Sequence, residues 1–278
     1  MGVDVYLPVM WGLGVMALCL MAYRFLIIGR RTRKYIGYET GAGKTIGSRE
    51  IQGDAYGIVE GQGGVMAVLA DGMGNGYGGK IASRIAVEAF QDMFGDGNAF
   101  YNPQYYFRKA FHASNRGILE YLDGERGAAS VAAVMIKGRK LYYASVGNGK
   151  IAVYRNGELV PVTSGHTVSV LARKKYMEGK LTRQAAVSLL EQHRIYNYVG
   201  QDGFHDIEFF DVPVTLYGGE YVALLSGGMC EGVSWREIEE CLANRGSCEE
   251  KALELTELVN GRINEDVDNA SVVIIKVL

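Results

Sequence analysis

One stretch, Val65 to Ser83, limits the folds open to this chain more than any other. Val65 to Ala70 is an unbroken run of six apolar residues, the pattern of a strand buried on both faces. It stops at Asp71-Gly72, a carboxylate followed by a residue without a side chain, and a glycine-dense loop follows. From Lys80 the period changes: Ile81, Ile85, Ala89 and Met93 recur every fourth residue, as on one face of a helix. A carboxylate ending a buried strand beside closely approachable backbone suits a hard cation with oxygen ligands, although Asp-Gly also opens ordinary turns.

Other segments supply the layers such a strand needs. Ala55 to Val59 reads as a neighbouring strand, turned into the central one by Gly61 to Gly64, so Asp54 and Asp71 are expected side by side. Pro103 to Leu122 is helical, with Phe107, Phe111, Ile118 and Leu122 on one side. Four short strands between residues 131 and 162 are separated by Lys137-Gly138-Arg139, Gly147-Asn148-Gly149 and Asn156-Gly157, which predicts an antiparallel meander. Thr167 to Gln192 is polar and helical in pattern, an insertion-like helix pair. Tyr221 to Leu225 is a further buried strand, ending at Ser226-Gly227-Gly228-Met229. Two capping boxes, Ser234 with Glu237 and Ser247 with Glu250, open two helices before a last strand, Val272 to Val277.

The N-terminus has a different character. Val5 to Tyr23 contains no charge, and Arg24, Arg30, Arg31, Arg33 and Lys34 follow. That length and flank predict one transmembrane helix within an anchor over residues 1–29, with the rest of the chain cytoplasmic at the cell membrane. Residues 30–48 read as a basic linker, and 49–278 as the folded domain. Gly41-Ala42-Gly43-Lys44-Thr45 imitates a phosphate loop, but Tyr38 stands where its first glycine belongs, so no nucleotide is expected. A net charge of -2 without a basic run in the domain gives no reason to expect nucleic acid. Cys19, Cys230, Cys241 and Cys248 have no metal-ligand spacing and read as reduced thiols. His112 and His193 read as surface residues, and His205 between Asp202 and Asp206 as part of an exposed loop.

Polar signals thus end three strands: Asp54, Asp71-Gly72 and Asp268-Asn269. With Ala70-Asp71-Gly72-Met73-Gly74, Ala144-Ser145-Val146-Gly147 followed by Tyr154-Arg155, the strand before Ser226, and Asp268-Asn269-Ala270-Ser271, the chain after the linker resembles the metal-dependent protein phosphatase 2C family. The resemblance implies an α+β, four-layer sandwich: two antiparallel β-sheets flanked by α-helices. It implies a centre of Mn2+ or Mg2+ ions acting on phosphoserine and phosphothreonine. Asp71, the carbonyl of Gly72 and Asp268 would be metal ligands, Arg49 would bind phosphate, and Asp54 would order metal-bound water. Departures accompany the matches. Acids of the family pattern are replaced by Gly53, Gly227, Asn148 and Gly165. Glu231 is the nearby acid that could compensate, and Cys230 reads as a small buried residue rather than a nucleophile. With the second ion stripped of two ligands, the chain reads as a pseudophosphatase that binds a phosphoprotein or a membrane-associated signalling partner, holding one ion or none. The alternative is an active serine/threonine phosphatase with a reduced metal centre.

Overall fold

The computed structural model describes residue 11, residues 14–21 and 23, and residues 36–278 apart from 62, 75, 96–98, 191–193 and 263–265. The chain divides into two units, Met1–Ile36 and Gly37–Leu278. Residues 11, 14–21 and 23 of the first are helical and exposed, Trp11, Leu18 and Met21 among them. No helix among the described residues is long and apolar enough to cross a membrane. Much of the span predicted over residues 5–23, and the basic flank behind it, lies outside the described residues.

The second unit is built on two antiparallel sheets. One contains β1 (Tyr38–Thr45), β11 (Ala270–Val277), β10 (Tyr221–Leu225), β6 (Lys150–Arg155) and β7 (Glu158–Pro161), in that spatial order. The other runs β2 (Ala55–Gly61), β3 (Gly64–Met73), β4 (Ala128–Lys137), β5 (Lys140–Val146) and β8 (Glu208–Phe209), with β9 (Val214–Thr215) also pairing with β5. Helices α1 (Gly78–Gly95) and α2 (Pro103–Leu122) cover the second sheet. The first is covered by α5 (Gly227–Gly232), α6 (Trp235–Ala243) and α7 (Cys248–Asn260). The helix pair α3 (Val168–Met177) and α4 (Arg183–Leu190) occupies the connection after β7.

The apolar run of β3 follows from its central place. Met66, Val68 and Ala70 pack into the core under α1 and α2, while the alternate residues Val65, Ala67 and Leu69 are equally buried on the opposite face. In the other sheet, Ala223 and Leu225 of β10 and Val272 and Ile274 of β11 form the core beneath α5 to α7. Both predicted capping boxes are formed: Ser234 N donates to Glu237 Oε2 and Ser247 N to Glu250 Oε2, each at 2.8 Å.

Two expectations are corrected. Residues 38–45 are not linker: they form edge strand β1, in register with β11 from Tyr38↔Val277 to Thr45↔Ala270. The strand looks like linker because α7 lies directly on it. A Cβ on Gly41 would stand 2.2 Å from the carbonyl carbon of Cys248, and one on Gly43 would stand 2.7 Å from Ala252 O, so bulky strand-forming residues cannot be used. Nor is the region from 128 to 161 one meander. β4–β5 and β6–β7 are hairpins, the latter through Asn156 and Gly157, both at positive φ, but Gly147-Asn148-Gly149 carries the chain from one sheet to the other. That crossing brings Asn148 to the end of the sheets where the carboxylates gather.

Candidate metal centre

Pairing in the second sheet places the first two acids. Ala55 lies opposite Ala70, so Asp54 just precedes β2 beside Asp71 near the end of β3. Asp54 is 3% exposed, and its Oδ2 accepts from Ser271 Oγ at 2.6 Å, while Oδ1 is buried without a hydrogen-bond partner. Burial pushes its pKa up to about 6, and the charge of Asp268 acts in the same direction. Asp71 accepts at Oδ2 from the Gly227 N–H at 2.9 Å. Its proton affinity is raised well above the carboxylate range by burial and then by the neighbouring charge of Asp54, with Asp268 and Glu231 adding to it.

Asp268 arrives from the segment before β11. Its Oδ1 accepts from Arg49 Nε at 3.0 Å and from Asn269 N at 2.8 Å. Arg49 also reaches Asp266 Oδ1 through Nη1 at 3.2 Å, and these carboxylates hold its guanidinium more firmly protonated than usual. Asn269 closes the frame: Oδ1 accepts from Gly53 N at 2.6 Å and Nδ2 donates to Ile46 O at 2.8 Å. A cavity of about 540 Å³ opens here, lined by Arg49, Asp71, Gly72, Lys80, Asp268 and Asn269 among others. All five residues singled out in the sequence therefore come to one place, with Asp54 behind the cavity wall. The sequence assigned no role to Lys80 or Asn269, although Lys80 directly follows the glycine loop and Asn269 adjoins Asp268.

Where the family pattern has acids, this chain has made other contacts. A Cβ on Gly53 would meet Gly72 O at 2.9 Å, and one on Gly227 would meet Asn148 Nδ2 at 2.4 Å and Asp71 Oδ2 at 3.0 Å. Asn148 is held there through Oδ1, which accepts from Ser130 Oγ at 2.9 Å. Next to Gly165, His166 is buried and accepts at Nδ1 from Gly147 N at 3.1 Å; burial lowers its pKa. Glu231 is exposed and reaches the centre only through its charge. Cys230 has its thiol pKa pushed up to about 12 by burial, so it is no nucleophile at neutral pH. His205 is exposed, with Nδ1 2.8 Å from Gly203 O, whereas His112 is half-buried against Phe204 rather than on the surface. His193 lies outside the described residues.

The donor set suits a divalent cation in part. A buried, unpartnered Asp54 Oδ1 and a proton-seeking Asp71 beside it are what a hard cation would relieve. Yet among the described residues no three His, Cys, Asp or Glu side chains come together as a ready metal cage. The residues would suit an ion that few side chains hold, with carbonyl oxygen and water left to complete its coordination.

Comparison with known proteins agrees with this geometry. The sequence profile of the protein phosphatase 2C family matches residues 44–178. The serine/threonine phosphatase stp of Listeria welshimeri is 26% identical over 195 residues, 67% of this chain and 75% of its own length. Protein phosphatase PhpP of Streptococcus pneumoniae strain D39 is 26% identical over 215 residues, 76% of this chain and 85% of its own. The S. agalactiae serine/threonine phosphatase superposes with a TM-score of 0.74 at 25% identity, covering 87% of this chain and all (100%) of that one. The PstP catalytic domain, solved with 2 manganese ions, shares the fold with a TM-score of 0.68 at 23% identity, over 87% of this chain and 99% of that one. Two facing antiparallel sheets, flanking helices and acids gathered at one end agree with these matches, and the chain carries a domain of the protein phosphatase 2C family.

Proposed function

We propose that the chain is a manganese- or magnesium-dependent phosphatase of phosphoserine and phosphothreonine proteins that works with a reduced metal centre. The observation carrying this reading is that Asp71 and Asp268 line one cavity together with Arg49 and Lys80, with the buried Asp54 behind its wall and its charge acting on Asp71. A bound divalent cation supplies charge that activates water and stabilises phosphoryl oxygens. Asp71 and the Gly72 carbonyl would hold it, with Asp268 as a further ligand. Arg49 would orient the phosphoryl group by paired N–H donors. Asp54 would accept a hydrogen bond through its unpartnered oxygen and fix the water that attacks.

The incomplete donor set favours a second reading, a pseudophosphatase that binds phosphoprotein without hydrolysing it. Manganese-dependent hydrolysis of a phosphothreonine peptide by the full chain separates the two. Turnover that disappears in Asp71→Ala supports the enzyme; an inert chain that still binds the peptide supports the second reading. Membrane anchoring through residues 5–23 is proposed from the uncharged sequence and is supported by the exposed apolar side chains of Trp11, Leu18 and Met21. Carbonate extraction of membranes from cells making the full chain tests it.

A further inference from the structure

A second groove, of about 700 Å³, adjoins the Asp71 cavity, and Met73 and Gly74 line both. Arg126 and Arg194 stand in its lining beside Ile195 and Tyr198, with Glu125 as the one acid among the described lining residues. Both arginines are exposed. Neither has an ion-pair partner among the described residues, whereas Arg155 and Arg262 are held by Glu220 and Glu237.

The frame under these two side chains is fixed. A Cβ on Gly74 or Gly78 would come within 2.7 or 2.2 Å of Arg126 O, so the loop leading away from Asp71 lies directly on the main chain of Arg126. Arg194 O accepts from Val168 N at 2.8 Å. The floor near Tyr198 is pinned by Ala129 and Val199, which exchange two main-chain hydrogen bonds of 2.9 Å, and by Asn115 Oδ1, which accepts from Gly200 N at 2.7 Å. The main chain of both arginines is thus fixed beside the site where a phosphoryl group would bind, and neither side chain has an ion-pair partner among the described residues, on a chain whose net charge is -2. Two cations against one acid make this lining locally positive, which complements an anionic partner.

We propose that this groove receives the residues flanking the phosphorylated serine or threonine, and that Arg126 and Arg194 select flanks rich in aspartate and glutamate. The proposal rests on the phosphopeptide reading above and adds the class of substrate. Planar guanidinium groups pair two N–H donors with a carboxylate, and clustered charge steers an acidic segment to the cavity.

The test compares phosphothreonine peptides with acidic or uncharged flanks, using the full chain with manganese at low salt. Hydrolysis of p-nitrophenyl phosphate, too small to reach the groove, reports the metal centre alone. Expected is a kcat/KM about three- to tenfold higher for the acidic peptide, a preference that salt erodes. Arg126→Ala and Arg194→Ala should each shrink the preference, and the double charge reversal to glutamate should invert it, all with p-nitrophenyl phosphate turnover unchanged. Equal rates on the two peptides, or a preference indifferent to both arginines, overturns the proposal. If p-nitrophenyl phosphate is not hydrolysed at all, the enzyme reading fails by itself. The groove is then read from the anisotropy of the same peptides labelled with a fluorophore, where the same ratio in Kd is expected and equal Kd values overturn it.

Discussion

Arg49 Nε donates to Asp268 Oδ1 at 3.0 Å, so the candidate phosphate-binding cation and a candidate metal ligand hold each other. Each must be released for its proposed task. The pair is solvent-exposed, with side chains 44% and 54% accessible, so little free energy opposes its separation. Arg49→Ala is expected to tighten manganese binding about two- to fivefold by freeing Asp268, while raising KM for phosphoesters. Calorimetric titration with manganese and steady-state kinetics measure the two effects, and weaker metal binding in the variant contradicts this arrangement.

Asp54 ties the centre to pH. Its folded pKa, about 6, lies above the ordinary 3.8, so between those values the folded chain keeps a proton that the unfolded chain has released. Stability of the metal-free protein therefore falls as pH rises through that window and stays lower above it, by on the order of 3 kcal/mol. His166 works in the opposite sense, since burial lowers its pKa and protonation below about 6.5 favours unfolding. Comparing wild type with Asp54→Asn cancels the histidine. In EDTA, thermal unfolding at pH 5 and pH 7 should show wild type losing more stability than the variant on going to the higher pH.

Gly227 and Asn148 form a coupled pair. A Cβ at 227 would stand 2.4 Å from Asn148 Nδ2, and Ser130 keeps Asn148 from moving aside. Gly227→Ala should cost about 1–3 kcal/mol in denaturant unfolding. Adding Asn148→Ala opens the space, so the double variant should lose at least about 0.5 kcal/mol less than the two single changes summed. Strict additivity places the strain elsewhere.

Strand β1 belongs to the folded domain only if α7 truly rests on it. Gly41→Val forces side-chain atoms into the Cys248 main chain and should destabilise the protein by about 3 kcal/mol or more. A change within about 0.5 kcal/mol is the behaviour of a linker.

These residues also show what the sequence could and could not disclose. Asp54, Asp71 and Asp268 were legible because each stands at or just before one end of a strand, and strand pairing carries such ends to a common edge. The capping boxes were legible because both partners lie within four consecutive residues. Strand β1 was hidden because its glycines answer to a helix some two hundred residues away, which no local pattern can reveal. The Gly147-Asn148-Gly149 turn failed for the same reason: a hairpin and a crossing between sheets use similar turn residues, and only long-range pairing tells them apart. The groove of Arg126 and Arg194 joins two stretches that share no motif.

The most direct measurement is manganese binding to the full chain, followed by calorimetry and by electron paramagnetic resonance of the bound ion. The account predicts saturable binding at the Asp71 cavity, weakened at least tenfold by Asp71→Asn and less by Asp268→Asn. No binding in the wild type, or the same affinity in Asp71→Asn, contradicts it.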